Sequence, residues 1–85
     1  MTEDKRIVVY GTRWCPDCVR AKFILDKKQV VYDYIDIDQD ASAKQFVKDT
    51  NRGYCSVPTI IFPDGSTLTE PDPRTLEQKI NLLQK

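Results

Sequence analysis

Apolar and polar positions along the chain form runs of two periods, and their order predicts strand, helix, strand, helix, a strand pair and a last helix. Residues 6–10, with Ile7-Val8-Val9-Tyr10, make the nearly continuous apolar run of a buried central strand. Val19-Arg20-Ala21-Lys22-Phe23-Ile24-Leu25 reads as helix, predicted over Pro16–Lys28, with Lys27 and Lys28 suiting its negative end. Val30–Ile37, rich in Val, Tyr and Ile, is predicted as the second strand. Behind Asp40, a good N-cap, Ala43, Phe46, Val47 and Thr50 recur at i, i+3, i+4 and i+7, and Gly53 is placed to end that helix. Pro58–Phe62 is the third strand, and Pro63-Asp64-Gly65 turns the chain into Ser66–Thr69. Asp72 then caps a helix with Pro73 in its first turn and Leu76, Ile80 and Leu83 on its apolar stripe.

A strand–helix–strand opening predicts a parallel pair with a crossover, and the short turn near the end predicts an antiparallel pair. The fold class is therefore α/β, a mixed sheet with helices on its faces. At 85 residues and 40% hydrophobic, the chain is read as one domain over residues 1–85. Thirteen basic and thirteen acidic residues cancel, which argues against nucleic acid or an anionic membrane as partner. Apolar stretches are too short for a membrane span. Thr2-Glu3-Asp4-Lys5-Arg6 leads into no signal-peptide core, so a cytoplasmic location is expected.

Chemistry enters at Trp14-Cys15-Pro16-Asp17-Cys18, between the first strand and the first helix. Proline is favoured at the first helical position, which places Cys15 beside unpaired N–H groups at the positive end of the helix. A thiolate is stabilised there, and the thiolate is the nucleophile of disulfide exchange. Cys18 follows one turn later, positioned to attack a mixed disulfide on Cys15. Asp17 opposes thiolate formation by charge, and Arg13 is expected to offset it.

The remaining residues narrow this reading. There is no histidine, so neither a Cys-His pair nor histidine ligation is available. A closed zinc site needs four ligands, and beyond Cys15 and Cys18 only Cys55 is left, so no metal site is expected. Cys55 is read as an inert extra thiol, with a second redox cysteine as the sharper alternative. Trp14 is a packing aromatic or a docking surface, and Tyr10, Tyr32 and Tyr34 are assigned to sheet packing. Asp33, Asp36, Asp38 and Asp40 lack the glycine and final glutamate of a calcium loop and are read as a solvated edge with a helix cap. C-x-x-C after the first strand of such a pattern points to a thioredoxin-like redox domain.

Four motifs together carry a resemblance. They are Trp14-Cys15-Pro16-Asp17-Cys18, Tyr34-Ile35-Asp36-Ile37-Asp38, Ser56-Val57-Pro58-Thr59, and Asp64-Gly65-Ser66-Thr67-Leu68-Thr69 with Pro71. In this order and spacing the chain resembles the glutaredoxin family, most closely its mycoredoxin-like members, over nearly its whole length. The resemblance implies a thioredoxin-like βαβαββα fold with a four-stranded mixed sheet, an accessible Cys15, and a cis peptide before Pro58. It implies a small thiol bound along Val57 and Pro58, with Gln45 on the second helix, Asp72 at the start of the last helix, and Arg13 beside the motif as further contacts. Thr12 stands where many members have lysine, Asp17 where an aromatic is common, and Thr69-Glu70 where a Gly-Gly pair is usual.

The expected function is a thiol–disulfide oxidoreductase that reduces protein disulfides and mixed disulfides through Cys15 and Cys18. No bound cofactor is expected, only a small thiol such as glutathione or mycothiol as co-substrate. Its partners would be oxidised or thiolated proteins, met as a monomer. The alternatives are a thioredoxin-like electron donor to one protein, such as a ribonucleotide reductase, and an iron–sulfur cluster carrier.

Overall fold

Strand β1 (Ile7–Gly11) takes an interior position in a sheet of order β2-β1-β3-β4. Ile7, Val9 and Gly11 are buried while Val8 and Tyr10 are half-buried, so one apolar run serves two packed faces. Strand β2 (Tyr32–Asp36) runs parallel to β1, with Ile7 opposite Tyr32 and Gly11 opposite Asp36. Strand β3 (Thr59–Ile61) is antiparallel to β1, and β4 (Thr67–Thr69) is antiparallel to β3. A parallel pair needs a crossover, and α1 (Pro16–Lys27) supplies it. With α2 (Ala41–Thr50) and α3 (Pro73–Leu83) the order is βαβαββα, as expected. The computed structural model describes residues 6–83.

Two apolar layers hold the sheet. On one face Ala21, Ile24 and Leu25 of α1 and Leu76 and Ile80 of α3 meet Ile7, Val9, Ile60 and Phe62. On the other, Ala43 and Val47 of α2 meet Ile37, flanked by Tyr10, Ile35 and Val57. Phe46 is more exposed than its place in the apolar repeat suggested, and its ring lies 5.0 Å from that of Tyr10. Among the described residues, no helix is long and apolar enough to cross a membrane.

The boundaries shift where caps compete with strands and helices. Val30 was expected in β2, but it closes α1: its N–H donates to the Leu25 carbonyl, behind Gln29 at φ 58°. That is a Schellman end, in which an apolar residue past the cap packs back on the helix. Helix α2 ends the same way, with two successive left-handed residues, Arg52 and then Gly53 at φ 92°. Arg52 is at φ 59°, and the closing bond comes from Gly53, expected to end this helix, whose N–H donates to the Lys48 carbonyl at 2.6 Å. Ile37 falls beyond β2, with its N–H on the Gly11 carbonyl and its side chain under α2. Asp40 and Asp72 cap α2 and α3 as expected, accepting from Ala43 N at 3.0 Å and Thr75 N at 3.1 Å.

Leu25 and Phe23 lie two residues apart on α1, one buried and one 66% exposed. Leu25→Ala should cost ~2–5 kcal/mol in urea unfolding, whereas Phe23→Ala should stay within ~0.5 kcal/mol.

Burial pushes the Cys18 thiol from its ordinary 9.0 to about 12. Burial and the hydrogen bond to Asp26 push Tyr32 from 10.0 to about 12. Both groups hold their protons more tightly folded than unfolded. The stability they contribute is thus complete below about pH 9 and lost as pH rises toward 12. The urea midpoint should fall over that range, and more shallowly in Cys18→Ala.

Candidate active site

Cys15 is the N-cap of α1, extended at φ −85° and ψ 116°, with Pro16 opening the helix behind it. The cap geometry brings the side chain back over the first turn, so Cys15 Sγ accepts from Cys18 N–H at 3.3 Å. A sulfur here stands where backbone N–H groups converge, an arrangement that favours negative charge. On its other side the thiol makes a long contact of 3.9 Å to the Val57 carbonyl. The Val57-Pro58 bond is cis, and the Pro58 carbonyl accepts from Glu70 N–H at 2.8 Å, tying this loop to the end of β4. The accessible Cys15 implied by the resemblance is not what the structure has: the residue is only 7% exposed, because the Val57 loop lies over it. Cys18 has no exposure at all, so such access as exists belongs to Cys15.

Cys18 packs against Gly11 at the end of β1. A side chain on Gly11 would put its Cβ 2.8 Å from Cys18 Sγ and closer still to the Tyr34 hydroxyl, so glycine is required there for space. Tyr34 reaches across from β2 and donates to the Thr12 carbonyl at 2.6 Å. Burial dominates the upward shift of Cys18, and the Cys15 side chain adds to it. The Thr12 backbone and the Tyr34 hydroxyl pull the other way. Tyr34 is itself held protonated, first by burial and then by the neighbouring Cys18.

Beside the cysteines lies a cleft of about 410 Å³. Thr12 and Trp14 line it from before α1, Asp38 from after β2, Lys44 and Lys48 from α2, and Cys55 and Val57 from before β3. Trp14 is 72% exposed, so it is not a packing aromatic, and its indole N–H donates to Asp38 at 3.0 Å. Thr12 is buried with a hydroxyl that lacks a partner. Cys55 is exposed on the cleft wall.

Sequence-level expectations for the surrounding residues divide. Val57 and Pro58 stand at Cys15. Gln45 does not line the cleft: its amide donates to Asp49 at 2.9 Å on an exposed side of α2. The cleft-facing stripe of α2 is Lys44 and Lys48 instead. These were missed, although their i, i+4 spacing next to the buried Ala43 and Val47 is the signal that finds them. Arg13 was expected to offset Asp17, but it lies 4.0 Å from Asp36, and Arg20 pairs with Asp17 at 2.8 Å. Both partners of that pair are exposed, so it contributes little. Asp72 is committed to its cap, and its carboxyl is lowered first by the Thr75 hydroxyl and then by the Thr75 N–H. Glu70 adopts φ 49°, a left-handed conformation that explains why glycine is usual there. The clustered aspartates are all engaged, Asp33 with Arg6 at 3.0 Å and Asp36 with Asp38 N–H at 2.9 Å. Tyr34, assigned to packing alone, reaches the cysteines.

With this geometry the comparisons with known proteins agree. The family model described as Glutaredoxin matches residues 7–66. Mycoredoxin 1 of Corynebacterium glutamicum is 39% identical over 77 residues, 91% of this chain and 95% of that protein. A protein of Mycobacterium tuberculosis named as a glutaredoxin is 39% identical over 74 residues, 87% of this chain and 88% of its own. Among solved structures, the thioredoxin-like protein BC3987 superposes with a TM-score of 0.75 at 32% identity, covering 86% of this chain and 97% of that one. The glutaredoxin of Archaeoglobus fulgidus, at 23% identity and TM-score 0.73 over 91% of this chain and 87% of its own, shares the fold. The chain belongs to the glutaredoxin family, which places it among thiol–disulfide oxidoreductases.

Proposed function

We propose that this protein reduces mixed disulfides between proteins and a small thiol, and internal protein disulfides, with Cys15 as nucleophile and Cys18 as resolving thiol. The observation that carries this reading is the placement of Cys15 Sγ at the start of α1, between Cys18 N–H and the Val57 carbonyl. The Cys15 thiolate attacks one sulfur of the substrate disulfide, a new S–S bond forms, and the other sulfur departs as a thiolate. Cys18 or a second molecule of small thiol then attacks the bond on Cys15 and releases the product. The reaction runs as reduction in a reducing compartment such as the cytoplasm.

The small thiol would lie along Val57 and Pro58 with its far end in the cleft. There Lys44 and Lys48 supply positive charge, and Trp14 and Asp38 supply a ring face and a hydrogen-bond acceptor. Arg13 and Asp72 are available only by giving up the partners they now hold. Gln45 contributes least, being turned to Asp49.

Cys15→Ser should abolish turnover of every disulfide substrate. Cys18→Ser should keep most mixed-disulfide activity and lose at least about tenfold on a protein's internal disulfide, because Cys18 attacks from one turn away at high effective concentration. Equal loss on both substrates would overturn the proposed division of labour and favour a dedicated thioredoxin-like donor.

Turnover of one mixed-disulfide substrate with glutathione, mycothiol and bacillithiol, side by side, identifies the co-substrate. Replacing both Lys44 and Lys48 by methionine should raise KM roughly fivefold, equivalent to about 1 kcal/mol, for a thiol that carries carboxylates. A neutral sugar-linked thiol should be nearly unaffected.

A further inference from the structure

Cys18 poses a difficulty for the proposed cycle, on which this inference rests. The residue is fully buried, its thiol holds its proton firmly, and it must become a thiolate to attack the disulfide on Cys15. The groups facing it and its neighbours are few. Cys15 and Lys22 come from α1, Asp36 and Tyr34 from β2, and the Thr12 backbone from the end of β1.

Among these groups Tyr34 carries a neutral hydroxyl that can change its partner. Its hydroxyl donates to the Thr12 carbonyl at 2.6 Å, so its single proton points away from sulfur and its lone pairs remain. The Tyr34 oxygen and the Cys18 sulfur flank the same space beside Gly11, where a Cβ would collide with both. Rotation about one C–O bond exchanges the Thr12 carbonyl for the sulfur as acceptor. The Lys22 ammonium lies 4.3 Å from the centre of the Tyr34 ring, a cation beside the place where negative charge must appear.

We propose that the Tyr34 hydroxyl is the positioning residue of the resolving step: it holds the Thr12 carbonyl while Cys18 is a thiol and turns to the Cys18 sulfur as the thiol ionises. The step balances within the pair of disulfides. The Cys18 thiolate forms the Cys15–Cys18 bond, the bond from Cys15 to the substrate sulfur breaks, and that sulfur leaves as a thiolate. The proton shed by Cys18 is returned, through solvent, to the departing thiolate. A donated hydrogen bond to a charged group is strong enough to matter here, on the scale of a ten- to hundredfold change in rate.

Stopped-flow reaction of the whole protein with an aromatic disulfide tests this, in a Cys55→Ser background so that only two thiols report. The first chromophore released reads attack by Cys15, and the second reads resolution by Cys18. Tyr34→Phe should leave the first phase in place. It should slow the second about ten- to hundredfold at neutral pH and move its pH midpoint upward by about one to two units. Lys22→Met, a surface change that spares the fold, should move the second phase in the same direction by about two- to fivefold. An unchanged pH midpoint in Tyr34→Phe, or equal slowing of both phases, overturns the role of Tyr34. Should Tyr34→Phe fail to fold, an unaltered second phase in Lys22→Met overturns it instead. A second phase that persists in Cys18→Ser removes the resolving role itself, so that failure belongs to the proposed function rather than to Tyr34.

Discussion

Everything near the cysteines depends on how closely the first turn of α1 sits on the end of β1. Gly11 permits that contact by contributing no side chain where Cys18 Sγ and the Tyr34 hydroxyl need room. Close docking buries Cys18 completely and turns the helix N-terminus toward the Val57 loop. The same docking fixes which thiol faces outward. A bulkier residue at Gly11 would displace the helix, and with it the Cys15 sulfur and the Tyr34 contact to Thr12.

The two thiols are a single turn apart but differently surrounded. Cys15 stands at the start of the helix, its sulfur accepting from the Cys18 N–H. Cys18 stands in an apolar layer, where burial keeps it a thiol. In the proposed cycle the first sulfur attacks and the second waits. Asp17 is paired with Arg20 near solvent, while Arg13 leans toward the half-buried Asp36.

The cleft shows how packing sets which face a helix turns toward it. Burial of Ala43 and Val47 sets the rotation of α2, and once that is set Lys44 and Lys48 must share one stripe. Gln45 then belongs to the next stripe, with Asp49. A shared motif position does not guarantee a shared direction, since the inward-facing residues decide the phase of the helix. Trp14 adds a broad exposed ring at the rim, anchored by Asp38 rather than by the core.

By itself the sequence determined the order of elements, the mixed sheet, the caps at Asp40 and Asp72, and the placement of Cys15 and Cys18 at the head of α1. These follow from local chemistry: apolar period, a proline behind Cys15, and turn residues between strands. Strands β2 and β3 came out shorter than expected, and the end of α1 was set by its cap. Gln29 and Val30 close α1 through backbone hydrogen bonds that no side-chain pattern announces. Only the tertiary structure decided the reach of Tyr34 to the cysteines, the burial of Cys15 under Val57, the turning of Gln45 away from the cleft, and the exchange of partners among Arg13, Arg20, Asp17 and Asp36. Each is a meeting of side chains, and a residue's neighbours in space depend on which elements pack together and in what phase. One chain position carried both kinds of information. Gly11 ends an apolar strand in the sequence, but the requirement for glycine appears only when α1 and β2 bring a sulfur and a hydroxyl to the same point.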